Sequence, residues 1–395
     1  MFNEIQLNEK IYPSLYGLKS ANINLSTNLF IYIIGCGGTG GYLIPQIARL
    51  LSVKTGDSIS PHLILVDADD IEEKNLTRQN FIRKDLGLKK ADVLARRYSN
   101  AFGIDIHAIT EYFPCTSSTN VLSEWFEGIE SMIVQPSDNP PLKKRIIIGC
   151  VDNINTRKSI YHHVSHEYAI GYATTAWIDA GNSNYAGQVI LSMNLNQHGW
   201  KDSNLATFFD IFPSLVNEKT KDHPDELSCA DHALSAPQNI AANITASNLI
   251  FNYFNILYHN TLLLCENTIT ETPRMKGELV EEMWPITNNV TYFNVSSNTF
   301  SNELVVYDYY RGTVSSNDTT ANNVSQATIS STLESKNNEF EKALMLYRKH
   351  FKPDSEVMVS INAEETPEST EEINDEIVAE EDNTSTPAFN DIFMV

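Results

Sequence analysis

Positive charge is scarce in this sequence, and its scarcity excludes one class of partner. The 395 residues include 28 Lys and Arg against 50 Asp and Glu, which gives a formal net charge of −22 at pH 7. Nucleic-acid backbones are bound by clustered Lys and Arg. We therefore expect no nucleic-acid partner.

Cysteine pairs and long apolar runs are also missing. The five cysteines stand singly and form none of the C-x-x-C pairs that hold structural zinc, so no structural zinc is expected. The longest apolar candidate, residues 249–264, is interrupted by three Asn and one His, so no membrane span is expected. Unpatterned cysteines and an N-terminus without a signal-like pattern predict a cytoplasmic protein.

The most informative feature that is present is a glycine-rich turn. An apolar run at residues 29–34 leads into GCGGTGG at residues 35–41, and a helix-like stretch follows at residues 42–51. Glycine permits positive φ, and a phosphate can rest against main-chain N–H groups at the positive end of a helix. The pattern predicts a strand, a turn and a helix that together bind a nucleotide.

Two further apolar runs, at residues 62–66 and 145–151, end in polar side chains. The side chains after these two strands are Asp67, Asp69, Asp152 and Asn153. In an open α/β sheet, ligands bind at the carboxyl ends of the strands. Together with Arg78 and Lys90, this set fits ATP with Mg²⁺, because carboxylates suit ribose and metal while cations suit phosphate charge.

The glycine turn and Asp67 taken alone also fit an NAD(P)-dependent oxidoreductase. That alternative gives no role to Arg78, Lys90 or Asp152. The nucleotide is therefore predicted to be ATP, with the oxidoreductase as the lesser alternative.

Four motifs follow one another along the chain. They are GxGGxG at residues 35–40, DxD with NLxRQ at 67–79, GxxKA at 87–91 and CVDNxxxR at 150–157. In this order they resemble the adenylation domain of ubiquitin-activating enzymes and of the bacterial ThiF and MoeB adenylyltransferases, over roughly residues 28–195. Residues 177–189 are similar to that family's glycine-bearing strand pair. Residues 228–230 and 237–239 are similar to ThiF-family proteins of bacterial PRTRC-type operons.

The resemblance implies a fold, a reaction and partners. The fold is α/β, a Rossmann-like, doubly wound and mostly parallel sheet with an antiparallel extension. The reaction is attack on the α-phosphate of ATP, with Mg²⁺, by the C-terminal carboxylate of a small ubiquitin-like protein whose tail ends in glycine. The products are an acyl-adenylate and pyrophosphate. The resemblance also implies a homodimer and, in a conjugation pathway, a conjugating-enzyme-like partner.

Individual roles follow from places in the family motifs. The resemblance implies that phosphates are held by Gly35, Gly37, Gly38 and Gly40, ribose by Asp67 with Asp69 beside it, the triphosphate by Asn75, Arg78 and Lys90, and Mg²⁺ by Asp152 with Asn153 next to it. The catalytic residues would be Arg78, Lys90, Asp152 and, for a thioester step, Cys229.

Cys229 admits two interpretations. Conjugating relatives pass the activated carboxylate to a cysteine in a crossover loop, and residues 201–236 are predicted to be a polar loop of that kind. His232 is close enough in sequence to deprotonate the thiol, whereas the acids around it would raise the thiol pKa. Cys229 is either the thioester acceptor or a half-buried thiol before a helix.

One departure from the family pattern favours a catalytically inactive scaffold. Many relatives carry an arginine segment near the N-terminus that reaches across a dimer to the triphosphate, but residues 1–30 contain no Arg. Lys10 or Lys19 would replace it only in part, because a lysine cannot fork onto two phosphate oxygens. If a partner subunit supplies an arginine to the triphosphate, the earliest one in the sequence is Arg49.

The chain is predicted to fall into four segments. They are an N-terminal extension (1–27), the adenylation domain (28–312), a linker with a short helix (313–352) and an acidic tail (353–395). Within the domain, residues 237–264 predict a long helix and residues 292–310 predict two antiparallel strands. The tail has thirteen acids and no Lys or Arg, so we expect it to be disordered. Its apolar end, residues 387–395, is either a docking peptide or incidental.

The helix that follows Asp152 carries two further features. Arg157 is expected either to cap the helix or pair with an acid, or else to contact ATP. His162, His163 and His166 are predicted to lie on a solvated face of that helix.

Overall fold

Parallel strands form one half of the sheet in the computed structural model. They are β1 (Thr27–Ile34), β2 (Ile59–Val66), β3 (Ile106–Ile109), β4 (Leu142–Gly149) and β5 (Thr175–Asn182). Their spatial order is β3-β2-β1-β4-β5, and every neighbouring pair runs parallel. All eight residues of β1 are buried, as expected for a central strand that helices cover on both faces.

Helices connect the parallel strands and cover both faces of the sheet. They are α1 (Gly38–Ser52), α2 (Lys90–Phe102), α3 (Thr119–Ile133) and α4 (Ile154–Ala169), followed later in the chain by α5 (Phe208–Ile211) and α6 (Ile240–Ile269). α1 packs against α2 and α6, whereas α3 packs against α4. This is the doubly wound arrangement that the sequence predicts, so the predicted fold class is confirmed.

An antiparallel extension continues the sheet beyond β5. Its strands are β6 (Ala186–Asn194), β7 (Ser203–Leu205), β8 (Val290–Asn294), β9 (Thr299–Asp308) and β10 (Thr313–Asp318). β7 and β8 lie end to end between β6 and β9. The buried side chain of Asn289 links β6 to β9, because it donates to the carbonyl of Leu191 in β6 and accepts from the N–H of Val305 in β9.

The structure describes only part of the chain. The described residues are Ile11, Leu15 and the ranges 27–53, 59–135, 142–169, 175–195, 203–217, 239–269, 283–308 and 313–318. The chain divides into two units, Met1–Asn338 and Glu339–Val395, and all described residues belong to the first. The predicted short helix, the acidic tail and its apolar end lie outside them. None of the described helices is long and apolar enough to span a membrane.

Two elements that the sequence predicts after β6 are confirmed, and two predicted loops are wrong at their start. The predicted long helix is α6, and the predicted antiparallel pair is β8 with β9. The predicted polar loop at 201–236 is wrong at its start, because Ser203–Leu205 is a buried strand of the sheet and α5 follows it. The predicted linker from residue 313 is also wrong at its start, since Thr313–Asp318 pairs with β9. Ile11 and Leu15 of the N-terminal extension are buried in the domain core.

The histidines of α4 do not all lie on a solvated face. His166 is exposed, but His163 is buried, with its ring centroid 4.9 Å from that of Phe126 on α3. The prediction is therefore wrong for His163. Its burial follows from the packing of α4 against α3, which the polar sequence of α4 does not indicate.

Candidate active site

Strand register places three chain segments side by side at one edge of the sheet. Ile34, the last residue of β1, pairs with Val66 of β2 and with Gly149 of β4. The hydrogen-bond ladder runs one residue further, because the N–H of Gly35 donates to the Val66 carbonyl (2.9 Å) and that of Cys150 donates to the Ile34 carbonyl (2.8 Å). The glycine turn, the acids after β2 and the acid after β4 therefore open onto the same edge.

The glycine turn is too tight to hold larger residues at two of its positions. Gly35 has φ +96°, and a Cβ there would lie 2.6 Å from the carbonyl oxygen of Cys150. A Cβ on Gly40 would lie 2.0 Å from the carbonyl oxygen of Gly35. Glycine is thus required both for the turn and for the approach of α1 to it. Gly37 is the N-cap residue of α1 and has no side chain to cap the helix, so the positive end of α1 faces the turn.

Asp67 fixes the shape of the turn from the neighbouring strand. Its Oδ2 accepts the N–H of Cys36 at 2.6 Å and its Oδ1 accepts the N–H of Asp69 at 2.9 Å. Burial raises the pKa of the Asp67 carboxyl, and the charge of Lys90 opposes that rise. Each carboxylate oxygen has a second lone pair, so Asp67 retains capacity to accept a ribose hydroxyl.

Two adjacent lysines at the start of α2 pair with two acids but differ in burial. Lys90 Nζ lies 2.7 Å from Asp69 Oδ2, and its side chain is 8% exposed. Lys89 Nζ lies 2.9 Å from Asp70 Oδ1, and its side chain is 41% exposed. The structure thus holds Lys90, but not Lys89, as a buried cation beside the acids after β2.

The loop at residues 72–81 carries the predicted triphosphate contacts. Asn75 is buried and uses its Oδ1 to accept the N–H of Glu72 at 2.8 Å, which fixes a short 3₁₀ turn. Arg78 is 9% exposed. Gln79 is buried beside Gly37, and its Oε1 has no hydrogen-bond partner among the described residues. Gln79 belongs to the NLxRQ motif, but its burial beside the glycine turn could not be predicted from the sequence.

A hydroxyl and two amide side chains, from α1, β5 and α6, form a chain of hydrogen bonds at the start of α1. Thr39 Oγ1 donates to Asn182 Oδ1 (3.2 Å), and Asn182 Nδ2 donates to Asn243 Oδ1 (2.9 Å). Asn243 Nδ2 in turn lies 3.4 Å from the carbonyl oxygen of Arg78. Neither asparagine was identified from the sequence. Asn182 lies within the strand pair predicted at residues 177–189, but nothing local marks Asn243 within the long helix α6.

The segment after β4 is split between an exposed acid and a buried ion pair. Asp152 is exposed, and Asn153 caps α4 by accepting the N–H of Thr156 at 2.7 Å. Arg157 is buried, with its Nε 3.1 Å from Asp179 Oδ1 and an Nη donating to the Ala180 carbonyl at 2.7 Å. Of the two roles left open for Arg157, the structure shows the pairing with an acid.

The described residues contain no cluster of three His, Cys, Asp or Glu side chains suited to holding a metal ion. Mg²⁺ commonly binds through one or two carboxylates together with substrate phosphates. An exposed Asp152 at the same edge as the glycine turn fits that mode of binding.

The described cysteines differ in their access to solvent. Cys36 in the turn is fully buried, and burial raises the pKa of its thiol. Cys150 is partly buried, and burial together with the charge of Asp179 raises its thiol pKa as well. Cys115 is exposed. Cys229 and His232 lie outside the described residues.

Comparison with known proteins gives a family and a set of similar folds. The sequence matches the profile of the ThiF family over residues 19–270. No curated protein matches the sequence significantly.

Solved structures with a similar fold include E. coli MccB with ATP (15% identity, TM-score 0.34) and the microcin C7 biosynthetic enzyme MccB with N-formylated MccA (15%, 0.37). PaaA is a third (12%, 0.32). In each case 76% of this chain is covered, and it spans 65% to 66% of the length of those proteins.

Proposed function

The chain belongs to the ThiF family, and on that premise we propose that it adenylates the C-terminal glycine of a small ubiquitin-like protein with ATP and Mg²⁺. The observation that carries the proposal is the shared edge at the ends of β1, β2 and β4. A tight glycine-rich turn at the start of α1, an acid with further acceptor capacity and a buried lysine all lie there. An oxidoreductase would not use the buried lysine or the loop that holds Arg78.

The proposed roles assign each part of the edge one task. The main chain of the turn at Gly35, Gly37, Gly38 and Gly40 would hold phosphate oxygens at the positive end of α1. Asp67 would accept a ribose hydroxyl, and Asp69 would keep Lys90 in place until phosphate engages it. Arg78, in the loop that Asn75 shapes, and Lys90, at the start of α2, would neutralise the triphosphate. Asp152, on the helix start shaped by Asn153, would hold Mg²⁺, which supplies further positive charge at the phosphates.

The proposed reaction is a substitution at phosphorus. A carboxylate oxygen of the substrate's terminal glycine forms a bond to the α-phosphorus, and the bond from that phosphorus to the bridging oxygen breaks. Pyrophosphate leaves with the electron pair and an acyl-adenylate remains. Negative charge builds on the phosphate oxygens as the bond breaks, so preorganised cations lower the barrier.

A thioester step is a further part of the proposal. The Cys229 thiolate would attack the acyl carbon, AMP would leave, and the substrate would be joined to the chain through sulfur. A conjugating-enzyme-like protein would then be the next acceptor. This step rests on the sequence alone.

The proposed active form is a homodimer, as in relatives with a single adenylation domain. Arg49, the earliest arginine that a partner subunit could supply, is exposed near the C-terminal end of α1, with its guanidinium 5.6 Å from the ring centre of Phe102. Sedimentation at micromolar concentration should give the dimer mass. A monomer would contradict this part of the proposal.

Pyrophosphate exchange tests the adenylation step. We expect Mg²⁺-dependent exchange of labelled pyrophosphate into ATP when a small Gly-terminated protein, encoded beside this gene, is present. Lys90→Met should lower the exchange rate by on the order of 10²-fold, since loss of one preorganised electrostatic group has that effect. Lys89→Met is the matched control, because it removes the adjacent but exposed lysine, and it should stay within about 2-fold.

The alternative is an inactive scaffold, which the absence of Arg from residues 1–30 favours. No exchange with any neighbour-encoded protein ending in glycine would support the scaffold. Equal losses in Lys89→Met and Lys90→Met would show that the site has been assigned to the wrong residues.

A further inference from the structure

We propose that Asn243 on α6 is a positioning residue for the nucleotide site, which holds the main chain of Arg78 against the start of α1. This inference rests on the proposed ATP-binding function. It gives α6 a role at the site. This helix begins at Ile240, far beyond the motif at residues 150–157, and it carries none of the four sequence motifs.

The position of Asn243 is fixed by hydrogen bonds on two sides. Its side chain is fully buried. Its Oδ1 accepts from Asn182 Nδ2 at 2.9 Å, and its Nδ2 donates to the Arg78 carbonyl at 3.4 Å. Arg78 is 165 residues away in sequence, so this contact joins α6 directly to the loop at 72–81.

The direction of the amide follows from the Arg78 carbonyl, which can only accept a hydrogen bond. The Asn243 NH₂ group must therefore face that carbonyl, and the Asn243 oxygen must face the NH₂ group of Asn182. The Thr39 hydroxyl then donates to Asn182 Oδ1. A flipped amide would set two NH₂ groups against each other and leave a carbonyl facing a carbonyl. The chain of donors thus defines one arrangement of the three elements.

The Asn243 amide packs directly against α1, in the space that a side chain at position 38 would occupy. A Cβ on Gly38 would lie 2.6 Å from Asn243 Nδ2 and 2.8 Å from its Oδ1. Glycine at position 38 therefore makes room for this amide, which is a reason for that glycine beyond phosphate binding. A buried amide is costly unless its hydrogen bonds are made, and here both of its polar atoms have partners.

The consequence for the site is preorganisation of Arg78. A catalytic arginine acts best when its loop is already in place before substrate binds, because ordering the loop on binding reduces affinity. Asn243 holds the loop at the main chain of Arg78, and the Arg78 guanidinium is the group proposed to engage phosphate. Substitution of Asn243 should therefore change ATP affinity only by way of the Arg78 side chain.

Calorimetric titration of the full chain with ATP and Mg²⁺ tests this route. Asn243→Leu keeps a similar side-chain volume and removes both hydrogen bonds, and we expect about 10-fold weaker ATP binding. Arg78→Ala keeps the carbonyl and removes the guanidinium. The double variant should bind ATP no more weakly than Arg78→Ala alone, because the two residues act on one interaction.

The control is Ser247→Ala, one turn further along α6. Ser247 is also fully buried, but it contacts Gln46 of α1 rather than the loop, so ATP affinity should stay within about 2-fold. If Asn243→Leu does not fold, Asn182→Ala interrupts the same chain of donors at the end of β5 and should weaken ATP binding in its place. Thermal unfolding of each variant reports folding separately from affinity.

Different outcomes distinguish this inference from the proposed function. Absence of ATP binding by the wild type would overturn both. ATP binding by the wild type with unchanged affinity in Asn243→Leu would overturn this inference alone. Losses that add in the double variant would also overturn it, because they would mean that Asn243 acts through general stability and not through Arg78.

Discussion

The side-chain amide of Asn80 donates a hydrogen bond of 3.0 Å to the main-chain carbonyl of Gly41. In an α-helix that carbonyl would accept the N–H of the residue four positions later, which here is Pro45. Proline has no N–H to donate. Asn80 therefore supplies a donor that α1 lacks, and the loop at 72–81 is joined to the helix at this point.

We expect Asn80→Ala to lower the free energy of unfolding by about 1–2 kcal/mol in the wild type and by less in a Pro45→Ala background. The Pro45→Ala substitution restores the N–H that the Gly41 carbonyl needs, so the loss of Asn80 leaves no carbonyl unsatisfied. The bond from Asn80 to the Tyr98 hydroxyl (2.7 Å) is lost in both backgrounds and cancels. Urea unfolding of the four proteins measures the difference. Equal losses in the two backgrounds would rule out this account.

The contact between Gly40 and the Gly35 carbonyl predicts intolerance to a single methyl group. Gly40→Ala places a Cβ where only 2.0 Å is available to a main-chain oxygen, so we expect a loss of about 3 kcal/mol or failure to fold. Gly128→Ala on the exposed side of α3 meets no atom within 4 Å and should stabilise by about 0.5–1 kcal/mol. Denaturant unfolding compares the two, and a Gly40→Ala variant as stable as the wild type would contradict the geometry.

The edge that carries the candidate site could be predicted because its signals are local. Gly35, Asp67 and Asp152 each follow an apolar run, and parallel strands deliver their carboxyl ends to one edge. Register then follows from the sheet itself, since Ile34 pairs with both Val66 and Gly149. Local sequence was sufficient for these positions.

What the sequence did not indicate depends on contacts between distant segments. β10 is rich in Ser and Asn, a composition typical of a linker, and β7 is only three residues long. Neither segment shows the apolar alternation that is typical of a strand. Asn243 is one of several asparagines in α6, and only packing against Gly38 singles it out. His163 lies in a helix with polar residues on all sides, so its burial could not be predicted from periodicity.

Cys229 lies outside the described residues, so its role stays a prediction that chemistry must test. With ATP and the cognate small protein, the wild type should form a covalent adduct that a thiol reductant cleaves. Cys229→Ala should form no adduct and should retain pyrophosphate exchange, because the two steps use different groups. Adduct and exchange can be followed by gel and by labelled pyrophosphate. An adduct that persists in Cys229→Ala would show that Cys229 is not the thioester acceptor.

Buried His163 links the stability of the α3 and α4 layer to pH. Its Nε2 lies 3.5 Å from Glu167 Oε1. Burial, followed by the charges of Arg145 and His166, lowers the pKa of His163 to about 4 from an ordinary value of 6.5. The folded protein therefore keeps this imidazole neutral over a pH range in which the unfolded chain binds a proton.

We expect the free energy of unfolding of the wild type to fall relative to His163→Gln as the pH is lowered from about 6.5 towards 4. Below pH 6.5 the unfolded wild type binds a proton at His163 that the folded state does not bind. The resulting loss of unfolding free energy is absent well above pH 6.5 and reaches roughly 3 kcal/mol below the folded pKa of about 4. Burial raises the pKa of Glu167, which acts in the opposite direction, but Glu167 is present in both proteins and cancels. Urea unfolding at several pH values measures the difference between the two proteins. A difference that does not change with pH would show that His163 is protonated in the folded state as readily as in the unfolded chain.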